Sequence, residues 1–215
     1  MKINLDKYNH IFFDCDGVIL DSNKIKTEAF YTIASEFDKN MAIELVKYHE
    51  SFGGISRHVK FRYFFEELLK RNNFEDDYQY CLDKFSCVTL EKLKESNFTD
   101  GIEKFLTLVT DKKLYVVSGG LESDLDEVFK YKKIFGLFEF VGGSPDSKYE
   151  IVLRSNLSKY DDCLFIGDAI TDFEVAKKFD MDFLFLGKYS DINYKEIPPR
   201  KEKNYYFNTF LDLLK

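Results

Sequence analysis

The apolar and polar positions of this chain fall into two unlike patterns. Residues 10–14 form a short apolar run, Ile11, Phe12 and Phe13, ending in Asp14. From about 23 to 96 the text is helical, with no strand-like stretch. KIKTEAFYTIASEF puts Ile25, Ala29, Phe30, Ile33, Ala34 and Phe37 on one face; a second helix is expected near 41–50. A third starts at Ser56 and carries Phe61, Phe64, Phe65, Leu68 and Leu69 on one side; a fourth spans about 76–95. After residue 100 the rhythm changes. Helical stretches at 101–110, 121–133, 147–155 and 170–179 alternate with apolar strands at 114–118, 138–142, 163–168 and 183–187. A strand at 205–207 and a helix at 208–214 follow. Apolar strands alternating with amphipathic helices predict an α/β fold, a Rossmann-like, doubly wound parallel sheet covered on both faces. The first strand has no crossover of its own, so the 75 or so helical residues after it read as an inserted all-helical domain. The expected division is a core of residues 1–20 and 96–215 and a helical cap of residues 21–95.

Composition narrows the function classes. Hydrophobic residues are 45% of the 215, with 23 Phe, 14 Tyr and no Trp, enough for an aromatic core. The net charge of −7 argues against nucleic acid as a partner, because phosphate backbones demand a basic face. No apolar run approaches the ~20 residues that span a bilayer, and MKINLDKYNH has no apolar signal core, so no membrane role is expected. Cys15, Cys81, Cys87 and Cys163 lack metal-binding spacing and read as thiols of a reducing compartment, the cytoplasm by default. Lysine outnumbers arginine 26 to 5, a bias that suggests an AT-rich bacterial genome. Monomer and dimer are not distinguished.

In a doubly wound sheet, ligands bind at the carboxyl ends of the strands. The expected strands deliver an unusual set there: Asp14-Cys-Asp16-Gly17, Ser118-Gly119-Gly120, Lys148 after the third strand, and Gly167-Asp168 with Asp172 four residues on. Carboxylates this close are compatible if a hard cation sits among them, and Mg²⁺ takes carboxylate and phosphate oxygens. Asp14 and Asp168 are the expected carboxylate ligands of the metal, with Asp172 beside them and Asp16 counted with them at the metal site. Mg²⁺, Lys148, the Ser118 hydroxyl and backbone N–H groups near Gly119 suit the charge of a phosphoryl group in transfer. In that scheme Asp14 attacks phosphorus and Asp16 acts as acid and base.

The motifs DxDGVxxDS (from Asp14), Ser118, Lys148 and GDAxTD (Asp168, Asp172), in this order, resemble the haloacid dehalogenase superfamily of phosphotransferases. The resemblance covers the core at both ends of the chain. It implies Asp14 as nucleophile, Asp16 as acid/base, Ser118 and Lys148 as phosphate ligands, Asp168 and Asp172 at the magnesium, and a helical cap inserted after the first motif. Gly54-Ile-Ser-Arg57 further resembles a cap motif of the β-phosphoglucomutase and phosphoglycolate phosphatase branch. Tyr149 departs from the pattern, since many relatives have proline there. Dehalogenases and phosphonate hydrolases of the family lack a carboxylate at the Asp16 position.

The expected function is Mg²⁺-dependent hydrolysis of a small phosphomonoester, such as a sugar, polyol or amino-alcohol phosphate or a phosphoglycolate-like acid. A phosphomutase of the β-phosphoglucomutase type is the alternative. A non-catalytic binding protein on the same scaffold is the remote one, set against by the presence of Asp14, Asp16, Lys148 and Asp168 together. In the cap, Arg57 lies one turn before Phe61 and is the candidate for the distal end of the substrate, with Lys60 at the edge of that face. Asp21-Ser22 is expected to cap the first cap helix, Cys15 to pack inward, and His10, His49 and His58 to be structural or exposed.

Overall fold

The computed structural model describes residues 3–200 and 203–215; the core boundaries at residue 1 and across 201–202 lie outside the described residues. Six strands form one parallel sheet in the order β3-β2-β1-β4-β5-β6: β1 His10–Phe13, β2 Lys113–Leu121, β3 Phe140–Ser144, β4 Cys163–Gly167, β5 Asp182–Leu186 and β6 Asn204–Phe207. Strand alternation sends Ile11 and Phe13 to one face and Phe12 to the other. The first face packs on Val116, Ile166, Leu184, Phe105 and Phe129, contributed partly by α5 (Ile102–Leu108) and α6 (Glu122–Tyr131). The second packs on Tyr115, Phe165, Phe183, Ile151 and Phe173, under α7 (Lys148–Leu153) and α8 (Ile170–Lys178). Burial on both faces is why these strands read as unbroken apolar runs rather than alternating ones.

β1 is the first strand in sequence and sits mid-sheet, paired with β2 on one side and β4 on the other. Strand order reverses there, and the reversal opens a crevice at the carboxyl edge. Asp14 stands at its mouth, its N–H continuing the ladder to Ile166 O at 2.9 Å.

The cap consists of α1 (Asn23–Ala34), α2 (Lys39–Ser51), α3 (Arg57–Tyr63) and α4 (Glu75–Glu95). It has an apolar cluster of its own, in which Phe30 meets Phe85 at 4.5 Å and Phe61 at 5.1 Å between ring centroids. The expected third helix is not continuous. After Tyr63 it widens into a π-helical turn, Phe64–Leu68, and the wider turn lets the adjacent Phe64 and Phe65 both be buried. The two passages between core and cap run side by side, with Asp21 N donating to Asn97 O and Thr99 N to Ile19 O, each at 3.0 Å. No helix among the described residues is long and apolar enough to cross a membrane.

Candidate active site

Asp14, Asp168 and Asp172 are buried and place carboxylate oxygens within 4.8 Å of one another. Each is fixed by the backbone that carries it. Asp14 follows β1, and its Oδ1 accepts from Cys15 N at 2.7 Å. Asp168 follows β4, and Asn23 Nδ2 donates to its Oδ2 at 3.0 Å. Asp172 lies in the first turn of α8, where its Oδ2 accepts from the N–H groups of Asp168 (3.2 Å) and Ala169 (3.1 Å). It therefore caps the helix and joins the acidic cluster at once. Lys148, the first residue of α7, is the one cation inside the group among the described residues. Its Nζ is 2.6 Å from Asp172 Oδ1 and 2.9 Å from Asp14 Oδ2.

Three buried carboxylates share one ammonium, and the excess negative charge sets the electrostatics. Burial, assisted by Asp172 and Asp16 and opposed by Lys148, raises Asp14 to about 7. Burial and the charges of Asp14 and Asp172 raise Asp168 well above the carboxylate range. Burial depresses Lys148, but Asp14 and Asp172 outweigh it and the net shift is upward. A donor set made only of oxygens, buried and short of positive charge, fits a hard divalent cation.

Asp16 is held apart from this cluster. Ser22 Oγ donates to its Oδ1 at 2.6 Å, and Lys26 pairs with its Oδ2. Burial would raise its pKa, yet Lys26 and Ser22 prevail and lower it. Ser22 occupies the N-cap position of α1, as expected of Asp21-Ser22, but its side chain makes no cap hydrogen bond; its hydroxyl proton goes to Asp16. Cys15 packs inward, in the apolar cluster of the first face.

Ser118 and its glycines depart from expectation in a different way. The strand does not end at Ser118. It runs on to Leu121 through a register shift between Val117 and Leu121 that re-aims the backbone at the sheet edge. Ser118 is not a helix cap, because α6 starts after Leu121. Its Oγ accepts from Gly120 N at 3.0 Å. The cap loop at Gly53–Ile55 is seated against this edge. Thr171 Oγ1 donates to Gly53 O at 2.7 Å. A Cβ on Gly54, whose φ is +76°, would lie 2.5 Å from Thr171 Oγ1 and 2.7 Å from Lys148 Nζ, so only glycine fits. Gly119 and Gly120 border the resulting cavity of about 120 Å³, whereas Ser118 and Lys148 lie behind its wall.

The cap wall of that cavity is richer than its sequence suggested. Arg57 reaches the cleft, but its guanidinium is already engaged: it donates to Asp124 Oδ2 on α6 at 2.7 Å and to Ser86 Oγ on α4 at 2.5 Å, and lies 4.6 Å from the Phe85 ring centroid. Lys60 is buried rather than at an edge, and His49 is buried beside it, not exposed. Lys26, Asn23, His49 and Asp191 border the cavity and carried no signal in sequence, since single polar residues on helices and loops look like solvated positions.

A comparison with curated protein sequences finds no match. Many solved structures share the fold. A predicted phosphatase from Clostridium acetobutylicum gives a TM-score of 0.75 at 22% identity, over 96% of each chain. β-Phosphoglucomutase from Clostridium difficile gives 0.74 at 21% identity, over 97% of this chain and 93% of its own. A predicted phosphoglycolate phosphatase from Haemophilus somnus 129pt gives 0.74 at 18% identity, over 97% of each chain. The profile of the haloacid dehalogenase-like hydrolases matches residues 11–186, from the middle of β1 to the end of β5. With its central strand, acidic cluster and inserted cap all inside that match, this chain belongs to the haloacid dehalogenase-like hydrolases.

Proposed function

We propose that this hydrolase is a magnesium-dependent phosphatase of a small phosphomonoester. The carrying observation is the buried trio Asp14, Asp168 and Asp172 around Lys148, with Asp16 set outside it. Asp14 and Asp168 would hold Mg²⁺, with Asp172 next to them. When bound, the ion supplies positive charge to the phosphoryl oxygens and between the carboxylates. Asp14 attacks phosphorus, and the bond from phosphorus to the ester oxygen breaks. Asp16 gives its proton to the leaving oxygen, then takes one from the water that attacks the aspartyl-phosphate and releases inorganic phosphate. Lys26 now holds Asp16 as a carboxylate, the form the second step needs; the first step requires Lys26 to leave it or yield the proton. Lys148, Ser118 and the Gly119 backbone are the proposed phosphate ligands. The cap, residues 21–95, acts as a lid over the core, and the four unpaired thiols suit a reducing compartment such as the cytoplasm.

The test is phosphate release from a panel of phosphomonoesters. Hydrolysis of at least one ester is expected with Mg²⁺, with loss on chelation and in Asp14→Asn at unchanged fold. Isomerised ester without free phosphate would identify a mutase instead, and full activity after exhaustive chelation would remove the metal from the account.

A further inference from the structure

Three cap cations border the cleft, and two are matched. Lys26 is paired with Asp16, and Arg57 with Asp124. Lys60, in α3, is the third. It is 1% exposed, and among the described residues no carboxylate lies within 4.0 Å of its Nζ. Its hydrogen-bond partner is His49 Nδ1 at 2.6 Å, and the Phe30 ring centroid is 5.5 Å away. His49 is 7% exposed, and its Nε2 is buried with no hydrogen-bond partner among the described residues. When Lys60 is charged, as it would be beside an anion, it has no lone pair, so Nδ1 accepts and the ring proton resides on Nε2. The cap wall thus presents an ammonium and an N–H with no anion to receive either. Asp191, on the loop after β5, faces the same cleft but lies beyond ion-pair distance.

Buried charges are ordinarily paired, because an isolated one gives up its hydration for nothing. Lys26 and Arg57 obey that rule in this very cleft. Lys60 breaks it at the one wall that a substrate must touch. We infer that Lys60, steadied by His49, is the docking point for a second anionic group, a carboxylate or a second phosphate, at the distal end of the phosphomonoester. The assignment rests on the phosphatase reading for the position of the first phosphate. It moves the distal role from Arg57, whose fork is committed to Asp124 and Ser86, to the unmatched cation beside it. Burial holds the Lys60 amine down at about 7, and an anion alongside would restore its charge.

Three esters with one three-carbon backbone separate the possibilities: 3-hydroxypropyl phosphate, 3-phosphooxypropanoate and propane-1,3-diol bisphosphate. Calorimetric titration of the full chain without Mg²⁺ reads binding free of turnover. The wild type should bind one or both of the doubly anionic esters on the order of tenfold tighter than the hydroxyl ester, and the preferred one identifies the distal group. Lys60→Met should abolish that preference, with Lys60→Gln as a second, polar replacement. Equal binding of all three by the wild type, or binding of none, overturns the assignment, as does a preference that survives both substitutions. Hydrolysis of the same esters with Mg²⁺ is measured separately, so a failed phosphatase reading shows as absent turnover and does not change the binding comparison.

Discussion

Lys60 carries a cost that can be measured without any substrate. Its amine is pressed down to about 7 by burial first, then by Lys26 and Lys148, against Asp16 and Asp191. A base whose folded pKa lies below its unfolded value binds more protons when unfolded, so its contribution to stability rises with pH between about 7 and the unfolded value of 10.5. Lys60→Met should therefore raise the melting temperature by a few degrees at pH 6, and the gain over wild type should shrink by pH 9. A gain that grows with pH, or a loss at pH 6, would mean that the amine is stabilised by a partner. At this scale the sequence spoke only where residues came in motifs. Asp14, Asp16, Asp168 and Asp172 were legible because each stands at a fixed distance from an apolar strand. His49, Asn23 and Lys26 were not, because α1 and α2 bring them to the cleft through packing between helices that no spacing encodes.

Between elements, the contacts that matter join cap to core. Arg57 of α3 and Asp124 of α6 form a buried ion pair, and Gly119 of β2 lies under Gly54, so close that a Cβ on Gly119 would collide with the Gly54 carbonyl. Removing one partner of a buried pair typically costs roughly 3–5 kcal/mol when the other charge stays buried. Here the other charge would have an exit, since a cap that opens as proposed would expose Asp124 to water. Arg57→Ala should then lower the melting temperature only modestly and instead raise amide exchange at residues 53–57. A drop of that full magnitude with no added exchange there would mean that the pair holds the fold together rather than the closure. Gly119→Ala should unseat the same loop and lower kcat/KM by on the order of tenfold or more with the core intact. These devices explain two misread elements. The bulge of β2 and the π turn of α3 were hidden because hydrophobic periodicity reports which face is buried, not an extra residue within a turn or a shift within a strand.

For the molecule as a whole, closure poses the central problem. Gly54 covers Lys148, and the cavity left between cap and core is about 120 Å³. If Lys148 binds the phosphate as proposed, the Gly53–Ile55 loop over it would have to move first, so the cap would open for binding and close for chemistry. In that motion the paired passages at 18–21 and 97–99 would serve as the hinge, because backbone hydrogen bonds tie them to each other while the helices beyond them pack in a separate cluster. Crystals with and without a metal-fluoride phosphate mimic should differ mainly by a rigid rotation of residues 23–93; identical geometry in unrelated lattices would count against gating. The layout of sheet and cap was legible because a long helical stretch without strands interrupts an alternating pattern. The closed seating of the cap was not, since it depends on Gly54 and Gly119 and on ion pairs between distant segments, Arg57–Asp124 and Lys94–Glu127 among them. The most direct measurement is acid quench during steady-state turnover with Mg²⁺, followed by borohydride reduction and mass mapping of the Asp14 peptide. The account predicts one phosphoryl group on Asp14, reduced to homoserine, and none in Asp14→Asn. Sustained phosphate release with no phosphoryl group on Asp14 would contradict it and leave direct attack by water as the mechanism.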